Sequence, residues 1–145
     1  NVQGDEPMCN PHDIKKIIKF ATKFPNMIIN GYTEIKNKKL FYSPNIPKVV
    51  FDNNENLIYM SRSPIPSNKK KIFVKGWRQI CIYSFPYKSL KIFSLKRQKT
   101  LLESIEDIEL NRFIELGLKV KMLKMSDKSI AVDTIEDLRK LQRKI

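Results

Sequence analysis

The stretch that most constrains the fold is Ser129-Ile130-Ala131-Val132, a β-branched run that stops at Asp133 and passes at once into Thr134-Ile135-Glu136-Asp137-Leu138. A strand that hands its chain straight to a helix is half of a βα unit, and such units stack into α/β sheets. Thr134 caps the predicted helix and Asp137 stands at its third position, while Ile135, Leu138 and Leu141 give it a buried face. An acid at a strand tip lies where α/β proteins carry ligand chemistry, in the crevice outside the carboxyl ends of the strands. Asn1-Val2-Gln3-Gly4-Asp5-Glu6-Pro7 repeats the arrangement: a short apolar approach, a glycine that admits a close neighbour, a carboxylate, and a proline that stops the ladder. Taken alone, a Gly-Asp pair is turn chemistry. Two such acids, Asp5 and Asp133, form a plausible pair of ligands in one crevice.

Between these ends, elements of both kinds alternate. Asn10-Pro11-His12-Asp13 supplies a cap, a first-position proline and a first-turn acid, so a helix begins there. Ile14, Ile17, Ile18 and Ala21 mark the face it lays on a sheet, and Pro25 ends it. Met27-Ile28-Ile29 reads as a buried strand. Residues 35–46 read as an irregular loop. Lys48 to Asp52 and Leu57 to Ser61 form a predicted hairpin around Asn53-Asn54-Glu55-Asn56, which must pack on its own domain or on a second copy, since a lone hairpin is marginal. Arg62 follows, mounted on the stiff Ser63-Pro64-Ile65-Pro66 loop. Arg78 to Phe85 is a second buried strand, and Pro86 opens a short helix through Leu95. Thr100-Leu101-Leu102-Glu103 has the form of a capping box, and the helix behind it carries Leu101, Leu102, Ile105, Ile108, Arg112, Phe113 and Leu116 along its inward side before closing at Gly117. Of the clustered acids Glu103, Glu106, Asp107 and Glu109, all but Glu103 suit a solvated helix surface near the positive end of its dipole. Leu118, Val120 and Met122 alternate with lysines as a further strand.

At 145 residues with 41% apolar content, the chain suits one core. Its net charge of +13 raises nucleic acid as a partner, but the 28 basic residues are mostly lysines scattered over every element, without interleaved aromatics. A composition rich in Lys, Ile and Asn accounts for the charge, and Lys69-Lys70-Lys71 reads as a solvated loop. No nucleic acid and no membrane partner is expected. Cys9 and Cys81 lie in no metal-ligand spacing, and the lone His12 has no triad or zinc partner. The reading is of a reduced, soluble, cytoplasmic chain. It begins on what reads as the last residues of a strand, without an initiator methionine, so part of a longer protein is expected.

With these elements in place, the chain resembles the 3-deoxy-manno-octulosonate (Kdo) cytidylyltransferases, also called CMP-Kdo synthetases, in five blocks in order. Asn1 to Pro7 is similar to that family's NVQGDEP signature. Lys48-Val49-Val50 with Leu57 to Pro66 (LIYMSRSPIP) resembles its dimerisation hairpin and sugar loop, and Gln79 to Tyr83, Leu102 to Arg112 and Ala131 to Leu138 (AVDTIEDL) resemble its remaining blocks. The resemblance implies a Rossmann-like nucleotide-diphospho-sugar transferase fold of the α/β class, with residues 47–85 as an inserted sugar-binding and dimerisation lobe and the amino-terminal CTP-binding half absent. Residues 1–145 would then be one partial domain, inactive alone. It implies transfer of cytidylyl from CTP to an acidic 2-keto sugar with release of pyrophosphate, for lipopolysaccharide or capsule synthesis, in a homodimer joined through the 47–66 hairpin. Mg²⁺ would be held by Asp5 and Asp133, whose hard oxygens suit it. Arg62 would clamp the sugar carboxylate, Gln79, Tyr83 and Glu103 would lie on the sugar side, and Gln3 near the nucleotide. Many relatives carry His in place of Gln79, Gly in place of Cys81 and Gln in place of Leu110. A non-catalytic dimerisation fragment, a sialic acid cytidylyltransferase and a nucleic-acid module are the alternative readings.

Overall fold

A computed structural model of the chain describes residues 1–4, 7–127, 132 and 135–142. Asn10 caps the first helix, α1 (Pro11–Lys23), its side-chain oxygen accepting from the His12 N–H at 3.0 Å. Asp13 does more than complement the helix dipole. It is buried, and its carboxylate accepts the Ser126 N–H and, at 2.6 Å, the Ser126 hydroxyl, tying the start of α1 to a segment far along the chain. The predicted strand at Met27 runs on through Gly31 as β1 (Ile28–Glu34). The expected loop over residues 35–46 contains a five-residue helix, α2 (Lys38–Tyr42), too short to leave a periodic signal. Asn37 caps it, and Phe41 is buried so close to Gly76 that a Cβ there would stand 2.7 Å from the ring.

The hairpin forms as expected from β2 (Lys48–Phe51) and β3 (Leu57–Ser61), with Val49 opposite Met60. It is continuous with the main sheet. Lys48 pairs with Arg78 of β4 (Trp77–Ser84), and the hairpin tip curls round to β5 (Val120–Lys124), where the Met122 N–H donates to the Glu55 carbonyl at 2.7 Å. Val49, Leu57 and Met60 therefore share one core with Ile28, Tyr32, Phe113 and Met122. The sheet order is β3-β2-β4-β1-β5, antiparallel throughout except for the β1/β5 pair. Its second face carries Ile29, Ile80, Ile82 and Leu123 against Ile17 of α1. The alternation of Ile28 and Ile29 between the two clusters is the period-two pattern of a strand covered on both sides.

The predicted long helix after Thr100 is two short ones, α4 (Leu101–Glu106) and α5 (Leu110–Glu115), following α3 (Tyr87–Leu95). Asp107 breaks the run by taking the left-handed conformation (φ 53°, ψ 50°), which aspartate tolerates better than most residues. The break turns Ile108, Leu110 and Phe113 into the core and leaves Leu101 and Ile105 exposed, against expectation. Gly117 closes α5 at φ 75° as foreseen. The final helix, α6 (Ile135–Gln142), buries Leu141 but exposes Ile135 and Leu138. The predicted strand over residues 129–132 and the Thr134 cap lie outside the described residues, apart from Val132.

Candidate functional site

Three groups of polar side chains gather around β4 and the break between α4 and α5. The first lies on β4 itself. Between Asn30 and Gly31 the β1/β4 register slips, so that Asn30 opposes Tyr83 while Gly31 opposes Ile80. Such a bulge frees carbonyls that the ladder no longer satisfies. Asn30, fully buried, answers with its amide, donating to the Ile80 and Ile82 carbonyls at 3.0 and 3.1 Å. Gln79 Nε2 reaches Asn30 Oδ1 at 3.4 Å and the Tyr83 hydroxyl at 3.0 Å. The two expected sugar-side residues of β4 are thus in direct contact. Gln3 comes to the same strand, its N–H donating to the Cys81 carbonyl, while Val2 bridges to Ile82.

The second group surrounds Glu106, which the sequence pattern assigned to a solvated surface. Its carboxylate accepts from the Tyr59 hydroxyl at 2.8 Å, the Ser61 hydroxyl at 2.6 Å and the Arg62 N–H at 2.8 Å. Burial alone would raise its pKa, yet these three bonds outweigh burial and hold the carboxyl below the usual range. Arg62 is fixed in place by its surroundings. Its guanidinium donates to the backbone carbonyls of Glu106 (2.7 Å), Pro44 (3.2 Å) and Asp107 (3.3 Å), leaving two of its five N–H groups for a ligand. Beneath it lies Lys48, fully buried, whose ammonium donates to the Ser43 carbonyl at 2.8 Å and to the Arg62 carbonyl. Burial pulls the Lys48 pKa down to about 8, against the opposing pull of Glu106 and with a smaller push from Arg62. Burial and the Glu106 charge push the Tyr59 phenol up to about 12.

The third group holds Glu103. The capping-box form is present, and Glu103 Oε2 accepts the Thr100 N–H at 3.1 Å. The same carboxylate, only 1% exposed, forms a two-point pair with Arg112, with Nη2 2.6 Å from Oε1. Arg112 also donates to the Lys96 carbonyl and stacks on Phe93, its guanidinium carbon 3.8 Å from the ring centre. The carboxylate expected to meet sugar hydroxyls is therefore buried and accepts three hydrogen bonds inside the protein. Asp5 and Asp133 lie outside the described residues, and among the described residues no group of His, Cys, Asp and Glu is arranged to hold a metal ion. No helix among them is long and apolar enough to cross a membrane.

Sequence reasoning passed over Asn30, Lys48 and Glu106. Asn30-Gly31 has the composition of a turn and so ended the predicted strand early. Lys48 and Glu106 sit in positions that composition alone assigns to water.

The mixed sheet, with helices on both its faces, defines a protein of the α/β class. A family profile described as Cytidylyltransferase matches residues 1–130, and the chain belongs to that family. It is 37% identical over 145 residues to the 3-deoxy-manno-octulosonate cytidylyltransferase of Thermodesulfovibrio yellowstonii, covering 95% of this chain and 56% of that protein. It is 33% identical over 142 residues to the 8-amino-3,8-dideoxy-manno-octulosonate cytidylyltransferase of Shewanella halifaxensis, covering 96% of this chain and 57% of the relative. Among solved structures, a CMP:2-keto-3-deoxy-manno-octonic acid synthetase complexed with CTP superposes with a TM-score of 0.87 at 25% identity, over 99% of this chain and 59% of that one. The chain thus spans little more than half the length of the relatives it matches.

Proposed function

We propose that these residues form the acid-sugar side of a cytidylyltransferase that transfers cytidylyl from CTP to 3-deoxy-manno-octulosonate or a close 2-keto-3-deoxy acid sugar, releasing pyrophosphate. The observation that carries the reading is the fixed guanidinium of Arg62. A carboxylate ligand gains most from an arginine whose orientation is already set, and three backbone carbonyls set this one. Gln79 and Tyr83 take sugar hydroxyls in this reading, and Gln3 lies toward the nucleotide. Glu103 serves from behind, holding the α4 turn that carries Glu106 and hence Arg62. Mg²⁺ is assigned to Asp5 and Asp133, an all-oxygen donor set that suits a hard cation. When bound, the ion neutralises charge on the transferring phosphoryl group. The reading includes lipopolysaccharide or capsule synthesis as its setting, in the cytoplasm, and pairing of two copies through the 47–66 hairpin.

The test is pyrophosphate release from CTP, Mg²⁺ and 3-deoxy-manno-octulosonate by the gene product in which these residues occur. Turnover is expected, and Asp5→Asn and Asp133→Asn should each abolish it while circular dichroism stays unchanged. Wild-type rates in either variant would remove the metal assignment, and no turnover with any acid sugar would overturn the function.

A further inference from the structure

We propose that Asn30 is a positioning residue that fixes the polarity of Gln79, so that Gln79 meets a ligand only as a hydrogen-bond acceptor. The inference rests on the reading of Gln79 as a sugar-side residue, and it follows from which groups can donate. The Ile80 and Ile82 carbonyls can only accept, so Asn30 must turn its Nδ2 toward them. That leaves Oδ1, itself only an acceptor, facing Gln79, which must answer with Nε2. The other Nε2 proton goes to the Tyr83 hydroxyl oxygen. Both donors of the Gln79 amide are engaged inside the protein, and its carbonyl oxygen is the end left for a ligand.

Turning the amide over would set two acceptors, Gln79 Oε1 and Asn30 Oδ1, against each other in a buried site. Asn30 cannot turn to relieve them, because the bulge carbonyls hold it. The backbone irregularity of β4 thus dictates, two side chains away, what the site reads. The ligand group it selects is a donor, either a hydroxyl or a protonated amine. An ether, a fluorine or a second carbonyl at that place meets an acceptor and is rejected.

The first measurement needs neither substrate nor variant. In the wild-type protein the Gln79 side-chain amide protons should exchange slowly with solvent by NMR, and in Asn30→Leu they should exchange as fast as those of exposed glutamines. The second uses 3-deoxy-manno-octulosonate and analogues in which one hydroxyl at a time is replaced by fluorine. One analogue should lose about tenfold or more in kcat/KM, and in Asn30→Leu that loss should shrink to within about threefold. The 8-amino-3,8-dideoxy sugar distinguishes the two donor types, since preference for it in wild type but not in Asn30→Leu identifies the amine. Fast exchange of the Gln79 amide in wild type, or analogue discrimination unchanged in Asn30→Leu, would overturn the proposal. Absence of turnover with every sugar would instead overturn the proposed function, while the amide exchange still decides the polarity of Gln79.

Discussion

Lys48 shows how a single side chain sets the character of the loop that carries Arg62. A fully buried ammonium held by the Ser43 and Arg62 carbonyls loses water that two carbonyl contacts replace only in part, and its pKa falls from the ordinary 10.5 to about 8. In the unfolded chain the same lysine keeps its proton up to the ordinary value. Between these two values the unfolded state binds more protons than the folded one, so folding stability rises with pH across that window. The unfolded tyrosines ionise near 10.0, whereas Tyr32 and Tyr59 are held near 12 in the fold, which reverses the trend at still higher pH. The clean range is therefore pH 8 to about 9.5. Denaturant midpoints of the wild-type protein, measured against Lys48→Met over that range, should climb with pH, and the difference between the two proteins should track one proton. A flat difference would mean that the ammonium is solvated. Glu106, also lowered from its ordinary value, acts in the same sense at acid pH, so its hold on Tyr59, Ser61 and Arg62 is lost only as pH falls below the range of a free glutamate.

At the scale of elements, the pair Glu103 and Arg112 joins three short helices, alongside the Phe93–Phe113 stack and the Leu102 N–H bonds to Glu115. Its carboxylate caps α4, its guanidinium grips the Lys96 carbonyl beyond α3, and the stack on Phe93 brings in α3 itself. Glu103→Ala leaves a buried arginine without its counter-charge and should cost about 3–5 kcal/mol in urea unfolding. The double replacement Glu103→Leu with Arg112→Met removes both charges and should cost less than the single one. A double variant as damaged as the sum of its singles would show that the pair is not coupled. The sequence discloses these helices unevenly. The Thr100 to Glu103 spacing marks the start of α4, and Gly117 marks the end of α5, because caps are local chemistry. The break at Asp107 is invisible, since nothing short of the core shows that Ile108 and Leu110 must turn inward while Leu101 and Ile105 stay in water. The same holds at the site. Arg62, Gln79 and Tyr83 stand in recognisable blocks, whereas Asn30 and Glu106 gain their tasks only from a register slip and from partners far along the chain.

For the whole molecule, charge and shape make opposing demands on association. Each copy carries a net charge of +13, so two copies repel at low ionic strength. The hairpin meanwhile places β3 at the edge of the sheet with Ile58 58% exposed, an apolar contact point for a second copy beside a Met60 backbone that the Asn111 side chain already satisfies. If the proposed pairing runs through this hairpin, added salt screens the repulsion and leaves apolar burial intact, so association should tighten with ionic strength. Binding to a polyanion would weaken under the same change, because it depends on counterion release. Sedimentation at rising salt therefore separates the two uses of the charge. The expected result is a shift from one copy toward two between low and moderate salt, with Ile58→Lys raising the dissociation constant about tenfold or more, the loss of one well-buried contact. An Ile58→Lys protein that pairs as well as wild type would move the interface elsewhere on the surface. Association that weakens steadily with salt would show that opposite charges, and not the apolar edge, hold the copies together.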